Sequence, residues 1–121
     1  MIRTKHLRVE PVERADGTRI YVGRLYPRGV KDNTLWDERI HDLGPSAPLH
    51  KAVIEGKISF DEFGKRYMQE LSGPPGRTLV LELAGRSRAG ETMTLLCDHP
   101  RKMPADRCHR FLLKVAIDEA S

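Results

Sequence analysis

Residues 20–26 read IYVGRLY, a nearly continuous run of β-branched, aromatic and other apolar side chains. Such a run is typical of a strand that is buried on both faces, as in a parallel sheet covered by helices. Pro27 and Gly29 end the predicted strand, because proline lacks an amide hydrogen and both residues favour turns. This segment therefore predicts a buried sheet strand.

Two more strands are predicted, one on each side of this run in the sequence. Residues 92–97, TMTLLC, alternate with a period of two, which places Met93, Leu95 and Cys97 on one face of a strand. Residues 2–9 have weaker strand character. The sheet is therefore expected to hold at least three strands, drawn from both ends of the chain.

Helix signals occupy the middle of the chain. Ser59 and Glu62 have the spacing of a capping box, in which both side chains satisfy free amides at a helix start. Apolar residues follow at helical spacing as far as Leu71, and this stripe predicts a helix packed on the core. Residues 47–55 predict a shorter helix that Gly56 closes.

Three other segments complete the secondary-structure prediction. Apolar residues at helical spacing predict a helix over residues 35–43, and residues 78–84 are compatible with either a strand or a helix. A final helix is predicted from Pro104 to Glu119, because proline is favoured as a first helical residue. Its predicted inner face consists of Cys108, Phe111, Leu112 and Val115.

Strands separated by helices indicate an α/β fold, a small single-domain layered sheet with helices packed on it, Rossmann-like, over residues 1–121. In such sheets ligands usually bind beyond the carboxyl ends of the strands. Residues 24–29 and 97–110 are expected to lie there. The predicted core consists of Ile20, Val22, Leu35, Ile40, Phe63, Tyr67, Leu95, Leu96, Phe111, Leu112 and Val115.

The composition, 39% hydrophobic and 31% charged, is that of an ordinary globular protein and argues against a disordered chain or a membrane protein. The first residues lack the apolar segment of a signal peptide, and two cysteines are too few for a disulfide scaffold, so a cytoplasmic protein with free thiols is expected. The net charge of +4 is concentrated towards both ends of the chain. A positive patch formed by these ends would attract phosphates or nucleic acid.

Residues 22–30 read VGRLYPRGV, residues 94–97 read TLLC, and residues 108–113 read CHRFLL. These motifs resemble the signature VDRLWPRG and the ending TLLCAE…CHR-x-x-L of the YeaO-like branch of the uncharacterised domain-of-unknown-function family 488. The resemblance implies a compact α/β fold and a helix over residues 77–88, but supplies no function. Gly23 stands where the family usually has Asp, and Tyr26 where it has Trp.

Four arginines, Arg24, Arg28, Arg107 and Arg110, are the candidate ligand-binding residues. Guanidinium groups match phosphate and carboxylate oxygens in bidentate fashion, so those at the strand ends suggest an anion clamp. The alternative is a structural ion pair between Arg24 or Arg28 and a carboxylate of the acidic middle, namely Asp37, Glu38 or Asp42.

Cys97, Cys108 and His109 are the candidate catalytic residues. His109 suits proton transfer, and a cysteine beside a histidine suggests thiol catalysis. No metal is predicted, since the spacing matches no standard zinc site and adjacent helical residues diverge by about 100° around the helix axis. The alternative is that both cysteines are small buried core residues.

Three functions stay open at this point, and the sequence does not decide whether the protein is an enzyme. The first is a domain that binds or acts on a small phosphorylated or otherwise anionic ligand, such as a phosphate or nucleotide, without a cofactor. The second is a nucleic-acid-binding module that uses the same basic surface, although only 6% of the residues are aromatic and no binding motif is present. The third is an interaction protein without a ligand.

Overall fold

The computed structural model describes residues 1–30, 35–98 and 108–121. In this part of the chain the elements are β1 (Ile2–His6), β2 (Thr18–Tyr21), β3 (Glu38–Arg39), β4 (Met93–Cys97), α1 (Ala47–Ile54), α2 (Phe60–Leu71), α3 (Gly76–Arg88) and α4 (His109–Ala120). The four strands form one parallel sheet with the spatial order β1-β4-β2-β3, and the helices pack on it. The α/β class expected from the sequence is therefore confirmed.

β4 lies at the centre of the sheet, between β1 and β2, and all five of its residues are buried. Met93, Leu95 and Cys97 belong to the main core, whereas Thr94 and Leu96 point to the opposite face, as the period-two alternation predicts. Because all strands are parallel, their carboxyl ends meet at one edge of the sheet.

The main core lies between one face of the sheet and the helices. Helix propensity alone stabilises short helices weakly, so burial of these apolar faces holds them in place. At the start of α2 the Ser59 hydroxyl accepts a hydrogen bond from the Glu62 amide at 3.0 Å, while the Glu62 carboxylate binds Arg66. The helices contribute Leu49, Val53, Phe63, Tyr67, Leu71, Val80, Leu83, Ala84, Leu113 and Ile117 to this core.

The other face of the sheet is covered by loops and carries a buried charge cluster. Asp16 is fully buried there, with Lys5 Nζ at 2.8 Å and the Arg19 guanidinium also on its carboxylate. A buried carboxylate is costly unless it is paired and hydrogen-bonded, and these two cations supply that pairing. Beside it, a small apolar cluster consists of Leu7, Tyr21, Trp36 and Leu96.

The helix predicted over residues 35–43 is wrong. In its place Glu38 and Arg39 form β3, and residues 41–43 form one 3-10 turn. Trp36 stacks on Tyr21 with ring centroids 5.2 Å apart, and Arg86 holds the Glu38 carboxylate at 2.6 Å. These contacts with distant parts of the chain outweigh the local helical spacing, which is only a weak preference.

The last helix begins later than predicted, and it buries a different face. α4 starts at His109, with the buried Cys108 in extended conformation as its N-cap, and Pro104 lies outside the described residues. Leu113 and Ile117 face the core, while Phe111 and Val115 are 43% and 38% exposed. The apolar residues of this segment fit two helical stripes, and packing selects the one with Leu113.

Of the remaining predictions, the structure confirms some and contradicts others. Residues 78–84 lie in α3, as the resemblance implies, and the strand predicted over residues 20–26 ends at Tyr21. No helix among the described residues is long and apolar enough to cross a membrane. Of the predicted core, Ile20, Val22, Phe63, Tyr67, Leu95 and Leu96 are buried, Leu35, Ile40 and Leu112 are partly buried, and Phe111 and Val115 are exposed.

Candidate functional site

A cleft of about 710 Å³ lies at the carboxyl edge of the sheet. Tyr21, the last residue of β2, and Asp98, the first residue after β4, both line it. The loop of residues 23–28 forms one wall, α1 contributes His50 and Lys51, and the start of α4 contributes His109. This is the edge at which open α/β sheets usually bind ligands.

Arg24 lines this cleft, but its guanidinium is occupied by the protein itself. Nε donates to the Pro45 carbonyl and Nη2 to the Gly44 carbonyl, both at 2.9 Å, and Nη1 lies 3.5 Å from Asp42. Asp42 is one of the three structural partners that the sequence suggests for the arginines. Arg24 therefore joins two walls of the cleft, the loop after β2 and the turn before α1.

Arg28 and Lys51 are two cations of the cleft whose side chains have no partner among the described residues. Both residues are exposed, and the part of the chain that the structure describes offers neither side chain an ion pair or hydrogen bond. Among the described residues that line the cleft, Asp98 is the one carboxylate, and Arg8 holds it at 2.7 Å. The cleft therefore carries a net positive charge.

Tyr21 fills the space beside Gly23. A β-carbon built on Gly23 would overlap the Tyr21 phenol, with Cζ at 2.6 Å. The Tyr21 hydroxyl donates to the Leu25 carbonyl at 3.1 Å, and burial raises the pKa of Tyr21 to about 12, so the phenol is neutral. In this chain the Tyr21 phenol therefore fills the space next to Gly23, the position at which the family that the sequence resembles usually has an aspartate.

His109 lies at the inner end of the cleft and is 8% exposed. Its Nε2 is 3.0 Å from the Val22 carbonyl, which can only accept, so Nε2 carries the proton and Nδ1 is a bare acceptor. Burial lowers the pKa of His109, which keeps the ring neutral near pH 7. The Tyr67 ring packs edge-on against the imidazole at 5.7 Å between centroids.

Two cysteines lie directly behind His109, both buried. Cys97 Sγ and Cys108 Sγ are 2.6 Å apart, and Cys108 Sγ is 3.9 Å from His109 Nδ1. Arg110 is also buried, and its Nη1 donates to Cys97 Sγ at 2.9 Å. The hydrogen bond with Cys97 and burial together raise the pKa of Cys108, so Cys108 stays a thiol.

The expectation that Cys108 and His109 point in different directions is wrong for this pair. It assumed that both residues are helical, whereas Cys108 precedes the helix with φ −71° and ψ 143°. The extended conformation of this one residue turns its sulfur towards the imidazole. Cys97, Cys108 and His109 consequently place one donor atom each within 4.8 Å of one another.

The site residues that the sequence predicts are thus distributed over three places. Arg24, Arg28 and His109 line the cleft, whereas Cys97, Cys108 and Arg110 form a buried cluster behind it. Arg107 lies outside the described residues.

Sequence reasoning missed three residues of this site, His50, Lys51 and Tyr21. His50 and Lys51 lie on α1, which reaches the cleft through tertiary packing, and nothing in their spacing indicates it. The ion pair between Arg8 and Asp98 could not be predicted from the sequence either, because the two residues are 90 positions apart.

Comparison with known proteins identifies the family. The family model described as "DUF488-N3a: Active DUF488-N3 subclade" matches residues 2–121. The protein named "Uncharacterized protein YeaO" of Escherichia coli (strain K12) is 39% identical over 64 residues, which cover 52% of this chain and 56% of that protein.

Two mycobacterial proteins are also similar. "Uncharacterized protein Rv3073c" of Mycobacterium tuberculosis (strain ATCC 25618 / H37Rv) and "Uncharacterized protein Mb3100c" of Mycobacterium bovis (strain ATCC BAA-935 / AF2122/97) are each 32% identical over 95 residues. These matches cover 72% of this chain and 78% of each relative. None of the solved structures matches this chain. Because the family model spans almost the whole sequence, the chain belongs to the YeaO-like DUF488 family, in the subclade described as active DUF488-N3.

Proposed function

We propose that the cleft binds a small anionic ligand that also carries an apolar or aromatic group, such as a nucleotide. The observation that carries this proposal is the charge of the cleft, in which Arg28 and Lys51 have no partner among the described residues while Asp98 is held by Arg8. A phosphate or carboxylate would provide the missing counter-charge, and Arg28 offers it a planar, bidentate donor.

The shape of the cleft supports a small molecule. Its volume of about 710 Å³ is within the range of roughly 300–1,000 Å³ typical of ligand pockets. Tyr26, Leu25 and Phe63 line it together with the cations, which is the usual combination of apolar walls and a few polar groups.

Arg24 and His109 have different roles in this proposal. Arg24 is a positioning residue, because its hydrogen bonds hold the wall that carries Arg28. His109 lines the ligand space as a neutral ring, but its Nε2 proton is held by the Val22 carbonyl and its Nδ1 faces Cys108, so it shapes the cleft wall and is not placed to exchange a proton with the ligand. The proposal requires no cofactor, and it places the protein in the cytoplasm, where a reducing environment keeps both thiols free.

A thermal-shift series with inorganic phosphate and adenosine monophosphate tests the proposal. A ligand that binds only the folded state raises Tm, and the rise grows with its concentration. We expect both anions to stabilise the wild-type protein, and Arg28→Ala and Lys51→Ala to lose most of the shift while keeping the unliganded Tm. Arg77→Ala, which removes an exposed arginine away from the cleft, serves as the matched control and should keep the full shift.

Two results would overturn the proposal. One is a wild-type protein whose Tm is unchanged by both anions, which would favour an interaction protein. The other is a shift that Arg28→Ala and Lys51→Ala retain in full. Tight binding of a single-stranded oligonucleotide that falls steeply with salt would instead favour the nucleic-acid alternative, because neutralised phosphates release counterions.

A further inference from the structure

Cys97 and Cys108, the buried cysteine pair behind the cleft, lie in contact with each other, and the proposed anion binding does not involve them. The sulfurs of Cys97 and Cys108 are 2.6 Å apart, close to the bond length of about 2.05 Å in a disulfide. The pair joins the end of β4 to the N-cap of α4, two elements that are packed against each other in the fold. The two sulfurs can therefore react with each other without rearrangement of the sheet.

The surroundings make the two sulfurs chemically different. Arg110 donates a hydrogen bond from a fixed positive charge to Cys97, and a cation beside a sulfur favours the thiolate, which is the nucleophilic form. Cys108 receives weaker hydrogen bonds, from Arg110 Nη1 at 4.0 Å and from the Arg110 backbone, and its hydrogen bond with Cys97 and its burial still raise its pKa. Cys97 is consequently the attacking sulfur, and Cys108 is the thiol beside it.

The same cation argues against a metal site. Cys97, Cys108 and His109 are residue types that bind zinc, and their donor atoms lie within 4.8 Å. However, the Arg110 guanidinium already occupies Cys97 Sγ at 2.9 Å, and it would repel a metal ion placed there. The cluster is arranged for a negative sulfur rather than for a cation.

The cysteine pair is closed off from solvent but adjacent to the cleft. Cys97 is 1% exposed, but its chain neighbour Asp98 and the neighbour of Cys108, His109, both line the cleft. The pair therefore lies directly behind the cleft wall.

We propose that Cys97 and Cys108 form a redox-active dithiol that reduces a small hydroperoxide and closes to an intramolecular disulfide. The Cys97 thiolate attacks one peroxide oxygen, so that an S–O bond forms and the O–O bond breaks. The leaving hydroxide (or alkoxide) takes up the proton that Cys97 released on ionisation. The Cys108 sulfur then attacks the sulfenic acid, the S–S bond forms, and the S–O bond breaks.

The second departing hydroxide takes the Cys108 proton, which His109 Nδ1 at 3.9 Å is placed to transfer. With hydrogen peroxide the two thiols are oxidised and the peroxide is reduced to two waters. Cytoplasmic disulfides of this kind are transient and functional rather than structural.

Intact-mass spectrometry after a hydrogen peroxide pulse tests this chemistry. The wild-type protein is expected to lose two hydrogens, to show no alkylatable thiol after denaturation, and to recover both with dithiothreitol. Cys108→Ser should stop at a sulfenic acid on Cys97 that dimedone traps. Cys97→Ser should react no faster at Cys108 than the unfolded chain does, because burial still disfavours the thiolate of Cys108 and Arg110 Nη1 is 4.0 Å from its sulfur.

Arg110 variants separate the role of its charge from a structural role. Arg110→Met should slow oxidation of Cys97 by about tenfold or more, and Arg110→Lys should restore part of the rate. Arg77→Ala is the control and should leave the rate unchanged. Unfolding curves of each variant show whether it is folded during the pulse.

Three outcomes would overturn the proposal. The first is oxidation of Cys97 to sulfinic acid in the wild-type protein without formation of a disulfide. The second is that each thiol reacts at the same rate in the folded protein as in the unfolded protein. The third is stoichiometric zinc that protects both cysteines from alkylation. All of these readouts are independent of anion binding, so this proposal can fail while the proposed function stands.

Discussion

Arg24 and Arg28 show how residues of one type in one loop acquire different roles. They lie four positions apart, and the sequence offers both the same two interpretations, an anion clamp or a structural ion pair. The turn before α1 supplies two carbonyls and Asp42 to Arg24, whereas Arg28 has no such neighbour among the described residues. A guanidinium whose donors are satisfied contributes to rigidity, and one without partners is available to a ligand.

Asp16 is the residue whose charge is expected to affect stability most. Burial alone would raise the pKa of Asp16, but hydrogen bonds from Lys5, the Glu13 backbone and Arg19 outweigh burial and lower it from 3.8 to about 2. Between these values the unfolded chain binds a proton that the folded chain does not. The stabilisation is therefore complete above about pH 4 and is lost as the pH falls towards 2.

We expect Asp16→Asn to lower the free energy of unfolding at pH 7 by about 3 kcal/mol, because it removes the buried carboxylate that pairs with Lys5 and Arg19. The variant should also lose less stability than the wild-type protein between pH 4 and pH 2. Urea unfolding at a series of pH values measures both effects, with Glu82→Gln on the exposed face of α3 as the control. An unchanged acid dependence in Asp16→Asn would contradict this account of the charge cluster.

At the scale of elements, two apolar stripes of α4 are candidates for the face that packs against the sheet. Leu113 is fully buried and Val115 is 38% exposed, although both lie in one short apolar segment. Leu113→Ala should therefore lower the free energy of unfolding by about 2–5 kcal/mol, since it leaves a cavity in the core. Val115→Ala should change it by about 0.5 kcal/mol or less, because surface substitutions have small effects.

Urea denaturation of the two variants measures this difference directly. A larger loss in Val115→Ala than in Leu113→Ala would support the face that the sequence predicts for this helix, with Phe111 and Val115 inside.

At the scale of the whole molecule, the strand order determines where the structure opens first. β4 pairs on both sides and is buried throughout, whereas β3 is a two-residue strand at the edge of the sheet. Amides of central strands exchange only through global unfolding, while edges exchange through local opening. We expect native-state hydrogen exchange to give the Leu95 and Leu96 amides the full free energy of unfolding and the Arg39 amide much less. Equal protection in both strands would contradict the described strand order.

Much of the fold could be predicted because its signals are local. The apolar run that begins within β2, the alternation of β4, the Ser59 cap of α2 and the Gly56 end of α1 each depend on residues close together in the chain. Periodicity and capping act over one or two turns, so they can be read without knowing the tertiary structure. The position of the candidate site at the carboxyl edge follows from the parallel sheet that these elements imply.

The rest was decided by partners that are distant in the sequence. Glu38 lies in a strand because it pairs with Ile20 and binds Arg86, 48 residues away, and Arg24 is occupied because Gly44 and Pro45 fold over it. The Cys97–Cys108 contact depends on the extended conformation of Cys108 at the helix start. Local preferences amount to a few tenths of a kcal/mol per residue, whereas a single intramolecular hydrogen bond contributes about 0.5–1.5 kcal/mol, and several such contacts act together at these positions. Tertiary structure therefore prevails wherever the two disagree.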